Sequence, residues 1–218
     1  MENLYSGDLS DTVQLLLVGT TALAVTPFLL IAVTCFPLIV IVFAILRQAI
    51  GLQQSPPNMF LITIALFLTY FVMEPVFATA IDDGFTPFFN GDITLGEAIR
   101  SGLAPFHAFM ANRVDPVAIQ ELQALRSDGE QQNLRPEEAS FSLLIPSFLL
   151  SEVGKAFQIG FLIFMPFLII DLVVSAILMS MGMMMVPPVV VSLPFKLAFF
   201  VVSDGWTLIA SALVRNYQ

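Results

Sequence analysis

Cations, thiols and imidazoles are all scarce in this chain of 218 residues. Lysine and arginine together number 8 against 17 acids, for a net charge of −9. Nucleic acid is excluded as a partner, because phosphate binding needs clustered basic side chains and these stand singly. A lone cysteine, Cys35, allows no internal disulfide and no thiolate metal site; it reads as a small buried apolar group. A lone histidine, His107, lies beside Phe106 and Phe109 with no second imidazole near it. Neither a metal site nor a catalytic base is therefore expected, and no cofactor. Charge of either sign is short as well, at 11% of residues where an average globular domain has about 25%. Apolar residues fill the gap, at 57% with a mean hydropathy of +0.89. One domain of this length cannot turn so much apolar surface inward. Lipid or a large oligomeric interface has to cover the rest, which makes this a membrane-system protein.

Residues 1–12 carry Glu2, Asp8 and Asp11 and no base, unlike the positive start of a secretory signal. From Val13 to Leu46 run 34 residues without a charge. About 20 residues span a bilayer, so this stretch is one over-long helix, two short ones or a broken hairpin. Pro27 and Pro37 argue for a break, since proline removes a helix hydrogen bond and clashes with the preceding turn. Arg47 closes the stretch. Pro56 and Pro57 punctuate a short polar turn, and Asn58 opens a second apolar segment, Met59 to Met73, which is able to continue past Glu74 and Pro75 to Ile81. It lacks clear amphipathic periodicity, as expected of a helix buried on all sides.

Residues 82–140 change character, with ten acids against Arg100, Arg113, Arg126 and Arg135. Thr94 with Glu97 matches a capping box, Asp115-Pro116 a cap with a first-turn proline, and Asp128-Gly129 a turn. Cytoplasmic loops carry the excess of positive charge, so Arg47 favours the 47–57 turn as cytoplasmic and the acidic insert as periplasmic. Three regions follow: 1–81, an apolar helical hairpin; 82–140, the acidic helical insert; and 141–218, apolar again. The last region holds Pro146, Pro166, Pro187, Pro188 and Pro194, which are expected to cut it into short helical pieces. The fold class is thus all-α and membrane-associated: helical hairpins with proline-broken helices, plus a small helical periplasmic insert, with roughly four spans by hydropathy.

Charges inside the apolar regions are the candidate site residues. Glu152 and Lys155 are helical neighbours at i,i+3. Asp171 and Lys196 each sit in an apolar run. An unpaired charge at the bilayer centre costs a few kcal/mol or more, so Glu152, Asp171 and Lys196 need partners within the chain or across a subunit boundary. Such charges either line a substrate path or fix helix registry and assembly, and registry is the commoner use. The other candidate is MGMMMVPP, from Met181 to Pro188. On its own it reads as core filling. Placed beside a helix break between membrane-grade segments, it reads as a soft apolar constriction, with Gly182 supplying backbone freedom and Pro187 and Pro188 fixing where the chain turns back.

The ordered run FPLIVIVFAILRQAIGLQQSPPN, SFLLSEVGKAFQIGF, PFLIIDLVV, MGMMMVPP, SLPFK and DGW resembles the FliP family, whose injectisome relatives are the SctR proteins. The wording of PFLIIDLVV and of VPP is closer to the flagellar branch. The resemblance implies a pore-forming subunit of a flagellar type III protein export gate, not an enzyme, in the bacterial inner membrane at the basal body. It implies assembly of several copies with FliQ and FliR, with FlhB and FlhA as further partners and unfolded flagellar proteins as substrates. Residue by residue, it carries a pore gasket onto Met183, Met184 and Met185 and an intersubunit charge pair onto Glu152 and Lys196. It also implies that the hairpins end lifted toward the periplasm, with neighbours rather than lipid covering their apolar faces. An apolar ring holds back ions by dewetting, and unbranched thioethers repack around varied passing side chains. The alternatives are the equivalent injectisome subunit, a small-molecule transporter, or an intramembrane aspartyl protease using Asp171 and Asp204. The transporter wants internal repeats around a midplane site, and the protease a GxGD setting; neither is present.

Overall fold

A computed structural model of the chain describes residues 27–52, 55–126, 135–183 and 185–217, with isolated positions between 13 and 24. The described residues form helices and no strand. The first apolar stretch breaks at Val33–Cys35, just ahead of Pro37, because proline has no N–H to give and its ring is tolerated in the first turn of a helix but not in its interior. There the Thr34 hydroxyl donates to the Ile31 carbonyl at 2.9 Å and accepts from the Phe36 N–H at 3.4 Å. Helix α1 (Phe36–Ile50) follows, with Pro37 in its first turn, and ends at Gly51, whose φ of 91° is left-handed. Arg47 then ties the turn by donating to the Pro56 carbonyl at 3.4 Å and to the Asn58 side chain.

Helix α2 (Asn58–Ala80) runs past Pro75 into a π-helical turn (Ile81–Phe85) and a short α3 (Thr86–Asn90). The insert continues with α4 (Leu95–Arg113) and α5 (Pro116–Arg126). The expected capping box is present on α4, where Thr94 and Glu97 satisfy each other's backbone N–H. At α5 the Val117 N–H donates to the Asp115 carboxylate at 2.9 Å. The expected Asp128-Gly129 turn lies outside the described residues. His107 accounts for itself structurally, with Nε2 2.7 Å from the Ala139 carbonyl and its ring edge-on to Phe141.

Two expectations need correction. First, Pro146 and Pro166 do not cut the chain: α6 (Phe141–Ser180) is one 40-residue helix through both, and Pro194 lies inside α7 (Pro188–Val202). An interior proline costs a helix about 3 kcal/mol. Unwinding in apolar surroundings would strip several backbone groups of partners at several kcal/mol each, so continuing through the proline is the smaller loss. The real breaks fall at Gly182–Pro187 and at Asp204, where α7 and α8 (Gly205–Arg215) bend by 60°. Second, α2 is not buried on all sides. Only the line Leu61, Ala65, Thr69 and Met73, with Ala80 at the end, is buried, and Phe60, Phe67, Tyr70 and Phe71 stand exposed. A helix facing lipid needs no polar face, so weak periodicity does not distinguish lipid contact from protein burial. Among the described residues two helical stretches, Asn58–Asn90 and Phe141–Ser180, are long and apolar enough to span a membrane, or three if the bent pair α7 and α8 counts as one; part of the first apolar stretch, which enters the expected count of roughly four, lies outside the described residues.

The most enclosed helix is α1. Leu38, Ile39, Val42, Phe43 and Leu46 are buried along it, and it packs chiefly on α6 beside Leu144, Phe148 and Ala156. Contact is close enough that a Cβ on Gly160 would lie 2.4 Å from Ile45 Cδ1. From α6, held along this seam, project Glu152, Lys155 and Asp171.

Candidate functional site: two charge clusters and a methionine loop

The expected buried charges all find partners within the chain, in two separate groups. In the first, Glu152 is 0% exposed, and its carboxylate lies 3.3 Å from Arg113 Nε and 3.7 Å from Lys155 Nζ. The Tyr217 hydroxyl donates to its second oxygen. Arg113 also stacks over the Tyr217 ring at 3.9 Å and donates to the Asn216 carbonyl at 2.8 Å. Lys155 donates to the Arg113 carbonyl, and the Ser151 hydroxyl accepts the Asp115 N–H at 2.9 Å. One knot therefore joins the end of α4, the start of α5, the first third of α6 and the C-terminal residues beyond α8. Burial, followed by the neighbouring Glu152 charge, pushes the Tyr217 phenol well above its ordinary range. It stays protonated and remains a donor to the carboxylate.

In the second group, Lys196 of α7 pairs with Asp171 of α6 at 2.6 Å and donates to the Ala49 carbonyl of α1 at 3.1 Å. Ser192 donates to the other Asp171 oxygen at 2.6 Å. Lys196 is 4% exposed, and no described buried side-chain N or O lacks a hydrogen bond. Glu152 and Lys196 share no ion pair within the single chain: Asp171 holds one and Arg113 the other. Arg113, Tyr217 and Ser192 were not singled out from sequence. Arg113 and Tyr217 lie 39 and 65 residues from Glu152, beyond any local pattern. The only sequence signal was indirect: a buried carboxylate with four lone-pair sites needs more than one i,i+3 lysine.

Between the clusters' helices lies the methionine loop. Helix α6 ends in a Schellman arrangement, with the Gly182 N–H on Met179 O at 3.1 Å and the Met183 N–H on Leu178 O at 3.0 Å. Gly182 takes φ +73°, which a side chain would strain, and Pro187 and Pro188 cap and start α7. Met183 is 42% exposed and Met185 is 98% exposed; Met184 lies outside the described residues. Asp171 and Asp204 do not form a catalytic pair, since Asp171 is held by Lys196 and Ser192 while Asp204 accepts from Thr207 at 3.2 Å.

The sequence model of the FliP family matches residues 20–213. The chain belongs to the FliP family. The Flagellar biosynthetic protein FliP of Caulobacter vibrioides is 45% identical over 217 residues, covering 99% of this chain and 81% of that protein. The protein of the same name from Bacillus subtilis is 42% identical over 210 residues, covering 96% and 94%. One from Buchnera aphidicola is 46% identical over 201 residues, and there the match takes in only 55% of the relative's length. Within the FliP match lie both charge clusters except Arg113's partners Asn216 and Tyr217, and the whole methionine loop.

Proposed function

We propose that this FliP-family chain is a pore-forming subunit of the flagellar type III protein export gate in the bacterial inner membrane. Several copies assemble with FliQ and FliR and work with FlhB and FlhA to pass unfolded flagellar proteins. In this reading the acidic insert, 82–140, faces the periplasm, and hairpins 1–81 and 141–218 build the membrane-inserted and pore-forming parts. Met183, Met184 and Met185 from several copies form an apolar ring. The idle ring dewets and blocks ions, while its thioethers repack around whatever side chain passes.

The observation that carries the reading is Met185, an apolar side chain 98% exposed at the tip of a well-capped loop. Core-filling methionines are buried. One that is presented to the outside, on a loop fixed at both ends, is placed to meet copies of itself. The relatives named as flagellar biosynthetic proteins support the flagellar branch over the injectisome.

Replacing Met183, Met184 and Met185 together by glycine in the assembled complex is expected to raise ion conductance across the membrane while secretion continues. Unchanged conductance together with unchanged secretion would sink the gasket. Glu152 and Lys196 remain a proposed intersubunit pair, and forming it requires both to leave the partners they hold in the single chain.

A further inference from the structure

A second feature has no part in that reading. Between α2 and α8 runs an apolar crevice of ≈ 760 Å³, walled by Phe43, Ile64, Leu68, Phe71 and Trp206, with Arg215 at its rim. The volume falls in the range of small-molecule sites, about 300–1,000 Å³. Its hydroxyls are already spent on their own helix: Ser211 donates to the Leu208 carbonyl at 3.0 Å, and Thr207 to Asp204 at 3.2 Å. Arg215 is exposed and has neither a hydrogen bond nor an ion pair among the described residues. Arg113, by contrast, is fully engaged with Glu152 and Asn216.

Orientation matters as much as composition. At one end of α8, Trp206 packs against Phe43 of α1 at 6.1 Å. At the other, Arg215 is next to Asn216, whose carbonyl is tied to Arg113 at the end of the insert helix α4. The crevice therefore runs from Trp206 on the apolar α1 side toward the level of Arg113 in the charged insert, and Arg215, at that end, is the only cation among its described lining residues. Its α2 wall belongs to one of the two helices able to span a membrane.

We propose that this crevice is a binding site for an anionic phospholipid, with one acyl chain laid along α2 and the phosphate held by Arg215. A guanidinium presents its N–H groups in the fork that matches two phosphate oxygens, and it is less strongly hydrated than an ammonium. The apolar walls give an acyl chain a row of dispersion contacts that a soluble anion could not make. Basic side chains beside membrane helices favour acidic headgroups by the same physics. The proposal rests on the chain lying in a membrane and not on the methionine gate, which the conductance assay tests separately.

The test is native mass spectrometry of the full chain purified in detergent, with phosphatidylglycerol and phosphatidylcholine added in equal amounts. Phosphatidylglycerol adducts should exceed phosphatidylcholine adducts. Arg215→Gln should reduce phosphatidylglycerol occupancy about five-fold, the effect of one basic side chain at an anionic surface, and Arg215→Lys, which keeps the charge but loses the fork, should restore only part of it. Ile64→Trp, which fills the crevice, should reduce both lipids alike. Equal binding of the two lipids, or unchanged phosphatidylglycerol binding in Arg215→Gln, overturns the proposal. So does a change in oligomer size in Arg215→Gln with lipid occupancy unaltered, which would make the occupant another protein chain.

Discussion

The two charge clusters look alike in sequence, each an acid and a base set in apolar runs, yet they are built differently. Glu152 is reached by two cations and a phenol drawn from α4, α6 and the C-terminal tail, and it is wholly enclosed. Asp171 and Lys196 make a simple pair between consecutive helices, with Ser192 and one backbone carbonyl in support and the Asp171 side chain 30% exposed. The first ties regions far apart in the chain and holds the insert to the membrane helices. The second clasps the two helices that flank the methionine loop. Enclosure and excess positive charge make the first intolerant of losing its acid, while the second can be replaced as a unit.

The sharpest way to break this contrast is Glu152→Ala. It leaves Arg113 and Lys155 facing each other without their shared carboxylate, and should cost about 3–5 kcal/mol, the penalty of orphaning a buried ion pair. Thermal unfolding in detergent would read this; a loss under about 1 kcal/mol would mean that the knot is open to water. Next in size is Lys196→Met, which strands Asp171 at a half-open position and should cost about 1–3 kcal/mol. The double change Asp171→Leu with Lys196→Met should recover most of that loss, as apolar replacement of whole buried pairs often does. If the double variant is as damaged as the sum of the singles, the two residues are not partners, and Lys196 answers to a carboxylate on another copy.

The smallest effect belongs to the capping box on α4, far from either cluster. The Thr94 N–H and hydroxyl hold the Glu97 carboxyl below its ordinary value of 4.5. A depressed acid contributes stability that is present above that value and fades as pH falls through the folded-state value. Glu97→Gln should therefore lower the melting temperature slightly at neutral pH and leave it unchanged in strong acid. A difference that persists undiminished in strong acid would remove the ionised box as its cause.

Much of this frame was legible beforehand because its signals are local. Pro37 announces the break at Val33–Cys35, Asn58 the start of α2, Thr94 with Glu97 the start of α4, and Gly182 with Pro187 and Pro188 the loop. Each acts on backbone within a turn of itself. Pro146 and Pro166 misled because their local preference competes with the cost of exposing backbone in apolar surroundings, which a single-residue rule does not weigh. The pairing of charges was hidden for another reason. Lys196 could be matched to Asp171 or Glu152 on composition alone, and only the fold brings Asp171 within 2.6 Å. Tyr217 and Arg113 met Glu152 by tertiary packing that leaves no trace in spacing.

The uninterrupted α6 has a mechanical consequence. Glu152 is pinned near its first third, and the methionine loop hangs from its far end, 28 residues on. At about 1.5 Å per residue that is a lever arm of about 42 Å, so a tilt of about 5° at the pinned end sweeps the loop through about 4 Å, close to the width of a methyl group. A small adjustment where the insert grips the helix is thus magnified into a full side-chain displacement at the loop, with no joint needed between the two.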